Sequence, residues 1–300
     1  MKTCLYALLC LALTISGCGK TRPSKPDSAA EKIEKDRADA REWLRSSSLS
    51  YLAAIDRIDF NEKRSLTVGR AIDNDVRLSA DDIEPHHLRI TVDGDHFLIE
   101  SMDPNARFKI KDEVKRKAVV DPSSIQVGRF TLRLSHQRFP AIIVFDPVSP
   151  RLKDYKGLKY FPIDLSYRYE VPLTLNPKAE KIVILSTRGN FRSAERVGWI
   201  DFRVGNTPCR LEVTRLLEPG SSEGEVEVFF RDATSGKETY PLGRYVDLKK
   251  LDHGKYLLDF NEAYNPACAF SAFYNCPIPP KSNTLPVAIR AGEMDSHYHE

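Results

Sequence analysis

The sequence predicts a mostly β protein, with one N-terminal helix followed by two β domains. Three observations favour this class. One helical pattern stands near the N-terminus, and from Tyr51 onward short alternating runs separated by turn residues replace it, which is typical of sandwiches and barrels. A proline-marked break between Pro140 and Pro150 divides these runs into two series. We therefore predict a helix plus β-sandwich at 29–140, and a second antiparallel β-sandwich or barrel at 141–300.

The N-terminus has the pattern of a secretory signal. Lys2 precedes an apolar run at 5–15, which is too short for a membrane span of about twenty residues. The run ends in Ile15-Ser16-Gly17-Cys18, which resembles the bacterial lipobox. That resemblance implies a cleaved signal peptide at 1–17 and a lipid on Cys18, the new N-terminus.

The expected location is the cell envelope, with the lipid anchor on the extracytoplasmic side of a bacterial membrane. Residues 18–28 are polar with two prolines and are predicted to be a flexible spacer. Gly19 follows the lipidated cysteine where an Asp retention signal would stand, which favours the outer membrane in a cell that has one. Lys plus Arg number 45 against 42 Asp plus Glu, so a nucleic-acid partner is not predicted.

The helix is predicted from about Ala29 to Leu44. Ser28-Ala29-Ala30-Glu31 has the capping-box pattern of a helix start. Apolar side chains recur at helical spacing on one side, and Trp43 and Leu44 are predicted to dock the helix on the first domain.

The predicted strands fall into two series. The first comprises Leu66–Gly69, Val76–Leu78, His87–Val92, His96–Glu100, Ala106–Ile110, Ser124–Val127 and Phe130–Ser135. The second comprises Ala141–Phe145, Tyr169–Leu175, Lys181–Ser186, Gly198–Val204, Cys209–Leu216, Glu225–Arg231, Tyr245–Leu248, Lys255–Phe260 and Val287–Arg290.

A motif in the first series resembles the forkhead-associated domain, a β-sandwich that binds phosphothreonine peptides. Gly69-Arg70 stands where the family has its phosphate-contacting Gly-Arg, and His87 stands at its structural histidine. The family's phosphate-binding serine is replaced by Glu84, which would repel a phosphate. We therefore predict the sandwich without phosphothreonine binding.

A dense polar block follows in the second series. Carboxylates, amides and one arginine lie at strand ends and loops, where binding groups gather on β scaffolds. The candidate ligand-binding residues are Asp232, Glu238, Arg244, Asn261, Tyr264, Asn265, Asn283 and Glu293. This block, together with the earlier segment 156–164, resembles a bacterial family known as domain of unknown function 1684, from about residue 29 to Glu293. The resemblance implies a β-rich fold and supplies no catalytic residues.

Two functions remain open for the block. One is a tethered module that binds a small ligand or a partner. The other is a hydrolase with Glu238 or Asp232 as general base and Arg244 as an anion clamp. The alternative is a purely structural role for the block, in which its polar side chains bond to the backbone and Glu238 pairs with Arg244. No catalytic elbow, zinc motif or phosphate-cradling glycine loop occurs, which argues against the hydrolase. No cofactor or metal is predicted.

Three cysteines lie in the predicted β domains. Cys268 and Cys276 are close in sequence, so a disulfide between them and two buried free thiols are both open interpretations. Cys209 lies in an alternating run and is predicted to be a small buried apolar residue.

Overall fold

The strands within residues 28–219 and 226–298 form three sheets that are antiparallel apart from one parallel pair, as the predicted mostly β class requires. The computed structural model describes residues 28–219 and 226–298. The predicted signal peptide, the lipidated Cys18 and residues 19–27 of the predicted spacer lie outside the described residues. Ser28, the last predicted spacer residue, begins the helix α1, Ser28–Ser46.

The first β unit is a sandwich of two sheets. Its strands are β1 Ala54–Asp59, β2 Ser65–Gly69, β3 Val76–Arg77, β4 Leu88–Asp93, β5 His96–Ser101, β6 Phe108–Ile110, β7 Glu113–Lys115, β8 Lys117–Val120, β9 Ser124–Val127, β10 Phe130–Ser135 and β11 Ala141–Phe145. One sheet has the order β1-β11-β10-β9-β6-β7, and the other has the order β3-β2-β4-β5-β8. Inward-facing apolar side chains of both sheets form one buried core.

The assignment of Ala141–Phe145 to the second series is wrong, because β11 pairs with β1 and β10 of the first sandwich. All five residues of β11 are buried. Ile142 and Val144 face the sandwich core. Ile143 and Phe145 belong to a second cluster, with residues of the C-terminal half of the chain, which forms the second β unit. A strand with two apolar faces is therefore the contact between the units.

The second β unit is one long antiparallel sheet that nearly closes into a barrel. After the short helix α2, Pro150–Lys153, its strands are β12 Arg168–Leu185, β13 Phe191–Val204, β14 Thr207–Leu216, β15 Glu227–Phe230, β16 Arg244–Asp247, β17 Lys249–Lys250 and β18 Lys255–Asp259. The order is β16-β15-β14-β13-β12-β18-β17, and β16 comes into contact with β18. Short 3-10 turns stand at Leu165–Tyr167, Asp252–Gly254, Phe260–Glu262, Ala267–Ala269 and Lys281–Asn283.

Two predictions for the second unit are corrected. The two strands predicted over 169–186 are one strand, β12, whose pairing with β13 shifts register between Leu175 and Glu180. The predicted strand Val287–Arg290 is an irregular segment that begins with a bend and lies outside the ladders. Its backbone groups bond instead to loop atoms and side chains. The alternating sequence therefore reflects which side chains are buried, and the segment pairs with no strand.

The helix α1 packs against the C-terminal unit, so the predicted docking on the first domain is wrong. Arg37 is buried and donates to the carbonyl oxygens of Phe161 and Asn261 at 3.0 and 3.3 Å. Leu44 lies in a cluster with residues of the C-terminal loops, whereas Trp43 is 39% exposed. The packing face of α1 was not recognised in the sequence because it includes Arg37, a charged residue that is buried.

Candidate functional site

The centre of the predicted polar block is a buried ion pair. Arg244 on β16 is 1% exposed, and its Nη2 donates to Asp232 Oδ2 at 2.8 Å. The same guanidinium donates to the backbone carbonyls of Ile289, Ala291 and Glu293. Arg244 thus holds the C-terminal segment at 289–293 against the sheet, and both of its Nη atoms donate to groups within the protein.

The amides of the block bond to backbone. Asn283 accepts from Glu212 N at 2.7 Å and donates to the carbonyl oxygens of Glu212 and Phe229, so it continues the sheet edge. Asn261 Oδ1 accepts from Asp164 N, and Asn261 Nδ2 donates to Asp164 O, both at 2.9 Å. Asn265 Nδ2 donates to Glu293 Oε1 at 2.8 Å and to the carbonyl of Met294.

Glu293 is a fully buried carboxyl. Burial raises its pKa to about 8, although the two hydrogen bonds from Asn265 and the charge of Arg244 act in the opposite direction. Its ordinary value is 4.5, so this side chain carries a proton over much of the neutral range.

Glu238 and Tyr264 complete the set. Glu238 pairs with Arg290, at 2.9 Å and on the surface, and not with Arg244 as the structural alternative had it. Tyr264 Oη donates to Asp247 Oδ1 at 3.2 Å. The side chains of the block thus hold its loops in place. Of the eight predicted residues, Tyr264 alone lines the cleft between the two β units, which is described below.

A cleft of about 480 Å³ lies where the two β units meet. One wall is a row of residues paired across the outer face of the sandwich: Ser124, Arg133, Ile143 and Arg57. The facing wall is a row on the second unit, Phe229, Tyr245 and Tyr264. Residues 274–277 form a third side. Cavities of this size at domain junctions are typical of small-molecule sites.

Two of the cleft's arginines are held by carboxylates. Arg57 is paired with Asp59, and its Nη1 donates to the carbonyl of Phe273. Arg192 makes a two-pronged pair with Glu218, through Nε at 2.7 Å and Nη2 at 2.5 Å. These pairs fix both guanidinium groups in the wall.

Three other polar groups of the cleft lack such partners. Within the described residues, Arg133 makes no ion pair or side-chain hydrogen bond, while Tyr274 Oη and Asn275 Oδ1 are buried without a hydrogen-bond partner. Burial raises the pKa of Tyr51 to about 12, and the charge of Arg133 acts in the opposite direction, as it does on Tyr274. An unpaired cation and two residues with buried unsatisfied polar atoms therefore line one cavity.

Sequence reasoning missed this cleft. Its side chains come from segments far apart in the chain, and Arg133 looks like a solvated residue on an alternating strand. The available signal was β11, whose apolar residues on both faces require a second packing partner.

Comparison with known proteins decides the family. A model of the family described as "Protein of unknown function (DUF1684)" matches residues 153–294, and a model described as "FHA domain" matches residues 66–128. An uncharacterised protein of Haloarcula marismortui, solved by NMR, is 34% identical; the match covers 50% of this chain and 82% of that one, with a TM-score of 0.39. This chain belongs to the DUF1684 family.

The DUF1684 chain is also similar to a phosphopeptide complex. Mycobacterium tuberculosis EmbR in complex with a low-affinity phosphopeptide is 16% identical; the match covers 40% of this chain and 32% of EmbR, with a TM-score of 0.22. A search of the curated proteins gave no match.

The FHA part of this DUF1684 protein keeps the motif's structural residues. A side chain at Gly69 would meet Pro85 O at 2.2 Å, so glycine is required there. His87 is buried, with Nδ1 accepting from Glu84 N and Nε2 bonded to the carbonyl of Arg107 at 2.8 Å. Arg70 Nε donates to the carbonyl of Ile83 at 3.1 Å.

The described residues of this DUF1684 protein contain neither a membrane-spanning helix nor a metal-binding cluster. Within 28–219 and 226–298, no helix is long and apolar enough to cross a membrane. Over the same ranges, no group of three or more histidine, cysteine or acidic side chains is arranged to hold a metal ion.

Of the two interpretations left open for Cys268 and Cys276, the structure has the free thiols. Cys268 and Cys276 lie against one another as free thiols, and Cys268 N donates to Cys276 Sγ at 3.3 Å. Cys209 is buried in the core of the second unit, as predicted for a small apolar residue.

Proposed function

We propose that this DUF1684 protein is a binding module whose site is the cleft between its two β units. The proposed ligand is a small anion that also carries a hydrogen-bond donor and a flat apolar part. The observation that carries the proposal is the presence of Arg133, Tyr274 Oη and Asn275 Oδ1, all without partners among the described residues, on the lining of one cavity.

The energetics favour a ligand there. A buried polar atom without a hydrogen bond lowers the stability of the folded state by about 1–3 kcal/mol. Tyr274 Oη and Asn275 Oδ1 are therefore destabilising unless a molecule in the cleft bonds to them. Water can satisfy such groups in part. A ligand that supplies a donor to Asn275 Oδ1 and a negative charge to Arg133 would recover more.

The walls narrow the ligand's chemistry. Asn275 Oδ1 only accepts hydrogen bonds, so the ligand needs a hydroxyl or N–H group. Phe229, Tyr245 and Tyr264 offer ring surfaces for a planar apolar part. Three arginines outnumber the two carboxylates, Glu218 and Glu227, on the lining, which favours an anion.

The alternative of a hydrolase has weaker support. Its proposed anion clamp, Arg244, is engaged by Asp232 and three carbonyls. The same ion pair occupies Asp232, one of the two proposed bases, and the other, Glu238, pairs with Arg290 on the surface. A carboxylate that an arginine already holds is poorly placed to take a proton from a substrate. We therefore place binding ahead of catalysis.

A thermal-shift titration tests the proposal. The full chain is titrated with 4-hydroxybenzoate, an anion with a hydroxyl donor and an aromatic ring, and with its neutral analogue 4-hydroxybenzamide. We expect the anion to raise Tm and the neutral analogue to have a much smaller effect. Arg133→Ala should reduce the anion's shift at least several-fold, because it removes the unpaired cation.

The matched control is Arg89→Ala. Arg89 is also an exposed arginine on a sandwich strand, but it lies on β4, away from the cleft lining. It should leave the shift unchanged. Equal losses in the two variants, or equal shifts with anion and neutral analogue, would contradict an anion site beside Arg133.

We also propose that the module is held at the cell envelope by lipid on Cys18. The support is the lipobox-like sequence. Cys18→Ser should move the protein from the membrane fraction to the soluble fraction of its bacterial host, measured by fractionation and immunoblotting. Retention of the variant in the membrane fraction would refute the lipid anchor.

We do not propose phosphothreonine peptides as ligands of this protein. The loops of the FHA part surround a cavity of about 670 Å³ lined by Arg70, Arg77 and Arg129, but Asp81 and Asp82 line it too. Arg129 is paired with Asp146, and Glu84 replaces the serine that the resemblance requires. These carboxylates oppose a dianionic phosphate.

A further inference from the structure

The thiols of Cys268 and Cys276 lie next to one another beside the cleft. Cys268 belongs to the turn Ala267–Ala269, and Cys276 stands on the cleft lining. Cys276 Sγ accepts the backbone N–H of Cys268 at 3.3 Å. Tyr240 Oη donates to Cys268 Sγ at 3.7 Å. Two sulfurs and a phenol thus share one hydrogen-bonded cluster.

The surroundings distinguish the two sulfurs. Hydrogen bonds from Cys276, and then from Tyr240 and Thr187, lower the pKa of Cys268 in spite of its burial. The hydrogen bond to Cys268, together with burial, raises the pKa of Cys276. Donors that converge on one sulfur stabilise its thiolate, which is the nucleophilic form of cysteine.

We propose that Cys268 and Cys276 form a reversible dithiol–disulfide site that reacts with low-molecular-weight disulfides. Cys268 is the attacking sulfur and Cys276 is the resolving sulfur. The proposal does not depend on the ligand of the cleft. Its geometric basis is the pairing of the two thiols and the donors around Cys268.

The exchange proceeds in two balanced steps. The Cys268 thiolate attacks one sulfur of the small disulfide, so that a mixed disulfide forms and one small thiolate leaves. Cys276 then loses its proton to that thiolate or to water and attacks Cys268 Sγ, so that the second small molecule leaves as its thiolate and takes up a proton from solvent. The protein gains one disulfide, and the small disulfide is reduced to two thiols.

Cys209 provides an internal reference. It is buried on β14, burial raises its pKa, and it lies in a different core cluster from the other two cysteines. Its sulfur contacts the carbonyl of Thr207 at 3.8 Å. A buried thiol of this kind is expected to be inert, so reaction at Cys268 should exceed reaction at Cys209.

Peptide-level mass spectrometry tests the proposal. The reduced full chain is treated with oxidised glutathione, quenched with iodoacetamide and digested. We expect a peptide linked between Cys268 and Cys276 in the wild type. Cys276→Ser should instead trap one glutathione on Cys268, and Cys268→Ser should leave Cys276 mostly alkylated. Near-UV circular dichroism confirms that each variant is folded.

Three results would overturn the proposal. One is absence of the linked peptide in the wild type under conditions that modify free cysteine. Another is glutathionylation of Cys209 as fast as that of Cys268. The last is a folded Cys276→Ser variant that carries no glutathione on Cys268.

Discussion

Arg244→Ala is expected to lower the free energy of unfolding by about 3–5 kcal/mol, the cost of breaking a buried pair. The variant leaves Asp232, whose side chain is 0% exposed, as a buried charge without its cation. It also removes the donors to the carbonyls of Ile289, Ala291 and Glu293, which detaches the C-terminal segment at 289–293. Urea unfolding followed by circular dichroism measures the loss.

The matched control is Arg290→Ala. Arg290 also pairs with a carboxylate, Glu238, but on the surface, where the pair contributes little. We expect its unfolding midpoint to stay near that of the wild type. Similar midpoints for the two alanine variants would show that Arg244 does not brace the block.

The protein is expected to lose stability as pH rises from about 4.5 to about 8 because of Glu293. Its pKa is about 8 in the folded state against an ordinary value of 4.5, so the folded chain holds the proton more tightly. The stabilisation is therefore complete below pH 4.5 and lost as pH passes the folded value. At about 1.4 kcal/mol per pKa unit, the loss is of order 3–5 kcal/mol.

Glu293→Gln isolates this contribution. The amide keeps the shape of the protonated acid and has no charge to lose, so the variant should be more stable than the wild type at pH 8 and similar at pH 5. Urea unfolding at several pH values gives the difference. Glu238→Gln, at an exposed carboxylate, is the control. Parallel pH curves for wild type and Glu293→Gln would contradict the raised pKa.

Much of the fold could be predicted because its strands alternate. The runs at 66–69, 88–92 and 130–135 each have one apolar face, and their strands lie where the pattern places them. β11 was misassigned because a strand apolar on both faces does not reveal which core it joins. The packing of α1 was missed because Arg37 is buried by tertiary hydrogen bonds that no local pattern encodes.

The site was harder to predict for a related reason. Local sequence shows which polar residues cluster, but not whether their partners are backbone or ligand. Asn283 looks like a binding residue, yet it completes a sheet edge. Arg133 looks like a solvated residue, yet it faces a cleft that exists only after two units pack together.

A crystal structure of the full chain grown with 4-hydroxybenzoate tests the central claim most directly. The account predicts ligand density between the two β units, with the carboxylate at Arg133 and the hydroxyl near Asn275. Density in the cavity beside Arg70 and Arg77, or a cleft holding only water at saturating ligand, would contradict it.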